Sequence, residues 1–154
     1  MEIIEQLKIS KSQIPSYFDL PHFTHKYTYA EGKWNIRQLL VHIADAESVL
    51  YDRIRRTIAE QPKPVVWSFN QDGWAAHFDY DHFPIESSKK MFDGIRDGII
   101  HLAERYYISH GDLPFVHSEA GLRTLKDEID KVVWHCQHHL DQIKKALELN
   151  EFTI

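Results

Sequence analysis

A single cysteine, Cys136, in a chain of 154 residues excludes an intramolecular disulfide framework and any cysteine-rich zinc module. That scarcity fits a reducing compartment. Excess positive charge is missing too: the formal net charge is −5 and the pI about 6.1, so no bulk field recruits nucleic acid or anionic lipid. No apolar run approaches membrane-spanning length, and the opening MEIIEQLKIS mixes acids among its apolar residues where a secretory signal would not. These absences lead us to expect a cytoplasmic protein that acts on a small molecule and engages neither nucleic acid nor membrane; a homodimer is compatible with them. Several catalytic signatures are also absent. Cys136 follows His135 where a HExxH metalloprotease has glutamate, and no Glu-x-x-His pair occurs to build a carboxylate-bridged di-iron site. There is no glycine-rich phosphate loop, no GxSxG elbow, no internal repeat and no low-complexity segment.

What is present suits one domain, residues 1–154, with 43% hydrophobic and 27% charged residues. Four helical segments and no substantial sheet are expected. In the first, Ile4, Leu7, Ile14 and Phe18 follow a bundle spacing, with Lys11 interrupting the stripe and Pro15 predicting a kink. Residues 19–33, with Pro21 and Gly32, read as a connection. The second helix has Asn35 as N-cap, Gln38 at the third helical position as in a capping box, and Trp34 placed to staple onto Leu39. Ile36, Leu39, Leu40, Ile43, Leu50, Ile54 and Ile58 form its stripe, and it should stop near Gln61, before Pro62 and Pro64. Arg53, Arg55 and Arg56 read as a solvated face of that helix.

Residues 61–85 form a long connection dense in aromatics, among them Trp67, Phe69, Trp74 and Tyr80. They could form a lid over a pocket or plug one end of a bundle. The third helix should begin between Pro84 and Ser88 and run to about Tyr107, with Met91, Ile95, Ile99, Leu102 and Tyr106 inward and His101 in solvent. After a connection at 108–123, Thr124 and Asp127 make the cap signature of the last helix. Its stripe is Leu125, Ile129, Val132, Val133, Cys136, Leu140, Ile143 and Leu147.

The 11 histidines stand out. His135 and His139, four residues apart on the last helix, present both imidazoles on one face and close enough to share a metal ion. From the stripe centre, His139 lies roughly 70° away and His135 roughly 110° on the same side, while His138, at roughly 170°, points to solvent. Cys136 falls within the stripe and reads as a buried small hydrophobe, not a ligand. The best third ligand is His42, roughly 100° from the centre of the second helix's stripe, at the border of the buried face. Three neutral imidazoles leave a coordination position open, as catalytic sites do. Zinc or nickel suits such a donor set best, with iron(II) and manganese as alternatives. Asp45, one turn after His42, is a candidate to orient it, and Glu47 and Gln142 are weaker ones. No residue stands out as a catalytic acid or base.

The segments WNIRQLLVHIADAE (34–47), GLRTL (121–125) and HCQHHLDQI (135–143), in that order and spacing, resemble the DinB/YfiT-like superfamily of metal-binding four-helix bundles. NQDGWAA (70–76) is similar to the Asp-rich, Trp-Ala element of that family's crossover loop. The resemblance implies an all-α four-helix bundle, up-down-down-up, with the long crossover between helices 2 and 3. It also implies one divalent metal held by His42, His135 and His139, and it suggests Asp72 and Trp74 as pocket residues. Some members are thiol-dependent S-transferases, so the expected function is activation of a low-molecular-weight thiol for transfer to an electrophile. The alternatives are a hydrolase that uses metal-activated water, and a non-enzymatic metal- or ligand-binding bundle.

Overall fold

The computed structural model describes residues 2–152. Four long helices form the body: α1 (Glu2–Phe18), α2 (Ile36–Ala59), α4 (Ile85–Tyr106) and α5 (Leu125–Leu149). A 3-10 helix (His22–Lys26) lies in the α1–α2 connection, a short helix α3 (Gln71–His77) lies in the crossover, and three short strands, β1 (Val65–Val66), β2 (Pro114–His117) and β3 (Gly121–Thr124), complete the order. Both expected N-caps are formed as capping boxes. The Asn35 side chain accepts from the Gln38 amide while the Gln38 side chain accepts from the Asn35 amide. Thr124 and Asp127 do the same for α5. Each box satisfies donors that a helix start leaves orphaned, and so fixes the residue from which the phase of His42 or His135 is counted.

α1 and α2 each pack against both α4 and α5, giving the up-down-down-up bundle. α2 has 24 residues and is about 36 Å long. For α4 to run in the same direction, the chain must travel that length back, which is why residues 60–84 form a crossover instead of a tight turn. α2 is the central helix: every residue from Leu39 to Glu47 is buried, including His42, which has no exposed surface. Its amphipathic stripe therefore understates its burial.

The structure corrects the sequence reading in three places. First, α4 buries Ile85, Ser88, Phe92, Arg96, Ile99 and Ala103, whereas Met91, Ile95, Leu102 and Tyr106 are only half-buried. Ser88 and Arg96 are polar, so a hydropathy pattern skips them and finds the flanking stripe. Second, Arg53 does not belong to a solvated face. It is buried, donating through Nη1 to Glu128 Oε1 at 3.2 Å and through Nη2 to the Trp67 carbonyl at 2.6 Å. Third, the two connections read as irregular are joined by a small sheet. β1 pairs in parallel with β2, and β2 pairs antiparallel with β3. Gly121 (φ +74°) closes that hairpin in the left-handed region that glycine adopts without strain.

A second buried ion pair crosses the bundle core. Arg96 donates through Nε to Glu47 Oε2 at 3.0 Å and through Nη2 to Glu47 Oε1. Its Nη1 reaches Ser10 Oγ and, at 3.3 Å, the Leu7 carbonyl. One guanidinium thus ties α1, α2 and α4 together. Removing one partner of a sealed pair leaves the other charged and unsolvated, at a cost of about 3–5 kcal/mol. Glu47→Ala is therefore expected to lower unfolding stability in urea by that order, whereas Lys8→Ala, which breaks the exposed Lys8–Glu104 pair, barely shifts the midpoint.

Candidate metal centre

His42 of α2 and His135 and His139 of α5 meet where these two helices pack. One ring nitrogen from each lies within 4.8 Å of the others. The His135 Nε2 is 3.0 Å from the His42 Nε2 and 3.1 Å from the His139 Nε2. Four-coordinate zinc with Zn–N bonds of about 2.05 Å has N···N edges of about 3.3 Å, so the two edges at His135 are within a few tenths of an ångström of that geometry, and the third nitrogen pair lies within 4.8 Å. His139 Nδ1 lies 2.7 Å from Gln142 Oε1. That oxygen can only accept, so Nδ1 carries the proton and Nε2 offers its lone pair to the shared point. The donor set fits a divalent metal.

Burial keeps all three rings neutral. It lowers the pKa of His42 to about 3 and that of His135 to about 2, with neighbouring imidazoles adding to the effect. His139 is lowered by burial as well, partly opposed by its bond to Gln142. Neutral imidazole is the form that ligates. Apolar rings close one side of the site: Trp34 lies 4.8 Å from His42, and Phe69 of the crossover stacks on it at 6.2 Å. Trp74 packs behind Phe69 at 4.9 Å. Of the two roles considered for the crossover aromatics, Phe69 and Trp74 thus wall the site, whereas Trp67 is 75% exposed.

The candidates proposed to support the triad are placed differently. Asp45 does not orient His42; its Oδ2 accepts from the buried Tyr80 hydroxyl. Burial raises the Asp45 pKa, partly opposed by that bond. Glu47 is committed to Arg96. Gln142, the weaker candidate, is the residue that bonds a triad imidazole. The Nδ1 atoms of His42 and His135 are sealed and have no hydrogen-bond partner among the described residues. Asp72 is exposed in the first turn of α3 and lines a depression shared with Trp34, His138 and His139. His138 and His101 are exposed and Cys136 is buried, as the helical phases require. The Cys136 thiol is pushed up to about 11, chiefly by burial, which suits a packing residue.

A cleft of about 280 Å³ opens in front of His135 and His139, lined by Phe69, Arg53, Lys131 and Trp134 among others. Sequence reasoning missed this wall because Arg53 had been assigned to solvent. It also missed His117, whose alternation with Phe115 in PFVH (114–117) was the available signal: on a strand, both point inward.

A bundle with three inward imidazoles beside a cleft is the architecture of a metal-binding helical protein. The chain belongs to the DinB superfamily, whose family model matches residues 18–143. It is 39% identical over 123 residues to a protein of Oceanobacillus iheyensis provisionally named a metal-dependent hydrolase, covering 80% of this chain and 70% of that one. A relative from Halalkalibacterium halodurans with the same provisional name is 28% identical over 120 residues, covering 78% and 69%. Among solved structures, YfiT from Bacillus subtilis superposes with a TM-score of 0.89 at 18% identity, over 99% of this chain and 87% of that one. It is provisionally described as a metal-dependent hydrolase with an unusual four-helix bundle topology, and at that identity it speaks for the fold alone.

Two outcomes are expected from this geometry. Gln142→Leu frees the His139 tautomer and should weaken metal binding about 10–100-fold, read by competition with a chelating dye, while His138→Ala leaves it unchanged. The second outcome concerns acid. Unfolded histidines titrate near 6.5, whereas folded His42 and His135 stay neutral down to about 3 and about 2. Between those values and about 6.5 the unfolded state thus binds more protons. In chelator, stability from these groups is full above pH ~6.5 and falls as pH drops from there towards ~3, which urea titrations across that window would show.

Proposed function

We propose that the protein is a metalloenzyme in which His42, His135 and His139 hold one divalent ion, zinc or nickel, and a small thiol is the nucleophile. The supporting observation is that the three buried carboxylates among the described residues are all occupied: Asp45 by Tyr80, Glu47 by Arg96 and Glu128 by Arg53. Among the described residues no buried carboxylate is left free to act as general base, and Asp72, beside His139, is exposed on the rim. Once bound, a divalent ion supplies Lewis acidity and favours the deprotonated form of a coordinated thiol, so that chemistry needs no base from the chain.

The chain's own part is to present and shield the reactants. Gln142 holds His139 in its ligating tautomer, Trp34 and Phe69 keep water from the buried side, and the cleft along Trp134 admits the substrate from the open side. In the transfer, sulfur forms a bond to the electrophilic carbon, the leaving group departs with its electron pair, and the thiol proton passes to solvent. A second reading, hydrolysis, draws support from the provisional names of the relatives. It asks for a group that protonates the leaving atom, and His138 on the cleft rim would have to serve.

A chloro-nitroaromatic and an epoxide, each offered with glutathione and with bacterial sugar thiols, test the two readings. Thiol transfer predicts conjugation faster with protein than without, and lost on chelation or in His139→Ala. Ester or amide turnover without thiol, lost on chelation, would favour hydrolysis instead.

A further inference from the structure

The cleft at the triad does not end there. A second hollow of about 420 Å³, lined by His117, Arg123, Asp127 and Asp130 among others, shares Lys131 and Trp134 with it. Glu128 lines the second hollow and its partner Arg53 lines the first, so the sealed ion pair lies where the two meet. Together they extend the site along one face of α5. Lys131 is one helical turn, about 6 Å, before His135.

His117 is the built element of this extension. It is 8% exposed, and its Nδ1 accepts from the backbone amides of Glu119 and Ala120, both at 3.2 Å. A backbone N–H can only donate, so Nδ1 is the lone-pair nitrogen and Nε2 carries the proton. That Nε2–H has no protein partner among the described residues, and it is not among the sealed polar atoms. A donor whose tautomer is fixed by the hairpin backbone is thus left to serve the hollow. Burial, with Arg53 and Lys131 nearby, keeps the ring neutral.

The charges around it are sorted. Asp127 is held in the α5 capping box, Asp130 accepts from the Tyr107 hydroxyl at 2.8 Å, and Glu128 is paired with Arg53. Lys131 and Arg123 have no ion-pair partner among the described residues. One neutral N–H donor and two cations can bind a single negative charge, while Asp127 and Asp130 on the same wall disfavour a doubly charged phosphate. Trp134, 62% exposed and stacked on His138 at 5.2 Å, gives an apolar platform between this donor set and the triad.

We propose that the second hollow is a carboxylate subsite: the substrate is a small molecule whose monoanionic carboxylate is bound by His117 Nε2–H, Lys131 and Arg123, and whose apolar part lies on Trp134 with its reacting end at the triad. The assignment of the reacting end rests on the metalloenzyme reading; the subsite itself does not.

Binding, not turnover, is therefore the measurement. The 15N-labelled full chain, as purified and after chelation, is titrated with 3-phenylpropionate, 3-phenylpropionamide and 2-phenylethyl phosphate while its amide, indole and imidazole resonances are followed. The carboxylate should shift the Lys131, Trp134 and His117 signals with or without metal, and bind about tenfold tighter than the amide or the phosphate. Lys131→Met, on an exposed position, and His117→Phe should each remove about that factor and leave the bound metal per chain unchanged. If His117→Phe does not fold, the Lys131→Met arm decides alone. Equal binding of the amide, tighter binding of the phosphate, or carboxylate binding that vanishes on chelation yet ignores Lys131→Met would each overturn the subsite. Carboxylate binding without thiol conjugation would leave the subsite standing and reject only the transferase reading.

Discussion

Three imidazole nitrogens brought to one point repel one another unless a cation lies between them, and the rest of the structure holds them there. Two of the three, His135 and His139, come from one helix, and α-helical spacing places them without further help. The third must be carried across the bundle by α2, and that makes the depth and phase of α2 decisive. Its capping box at Asn35 sets the phase. Its burial from Leu39 to Glu47, against α4 and α5 on two sides and the crossover on a third, leaves His42 without exposed surface. The same burial makes the rings poor bases and so ready ligands at neutral pH.

Burial also creates the problem that the ion pairs answer. Two arginines lie within the protein, and each is matched to a glutamate from another helix: Arg96 to Glu47 between α4 and α2, and Arg53 to Glu128 between α2 and α5. Such pairs contribute little net stability over apolar packing, but they penalise any register in which a charge is left alone. They hold α2 in position against both of its neighbours. They also occupy Glu47 and Glu128, so neither carboxylate is free. The small sheet works similarly at the rim, joining the crossover to the α4–α5 connection through β1 and β2 and carrying the Trp67 carbonyl to Arg53.

Much of this was legible in the sequence because the informative features are local. Capping boxes, helix-breaking prolines and the i, i+4 spacing of His135 and His139 are set by neighbours in the chain, and the apolar stripes of α2 and α5 gave the side on which each histidine falls. The features that were hidden are long-range and polar. Arg96 and Ser88 lie in the buried stripe of α4, yet hydropathy counts both as surface, so the inferred face was rotated. Arg53 looked solvated because its partner, Glu128, is 75 residues away in the chain. Asp45 looked like a support for His42 because it is one turn away, but Tyr80, arriving from the crossover, takes its carboxylate. Strands of two to four residues offer a single alternation at most, as between Phe115 and His117, which is how His117 was passed over.

The central claim is that these three imidazoles share one metal ion and leave it a position open to small molecules. X-ray absorption on the zinc- or nickel-loaded protein, with and without an added small thiol, reads this directly. The account predicts imidazole scattering from three histidines, about 2.0–2.1 Å from the metal for zinc, a light-atom ligand completing the shell, and a new sulfur shell near 2.3 Å once the thiol is added. Sulfur in the shell before any thiol is added would implicate Cys136, and fewer than three imidazoles, or a shell that thiol leaves unchanged, would contradict the account.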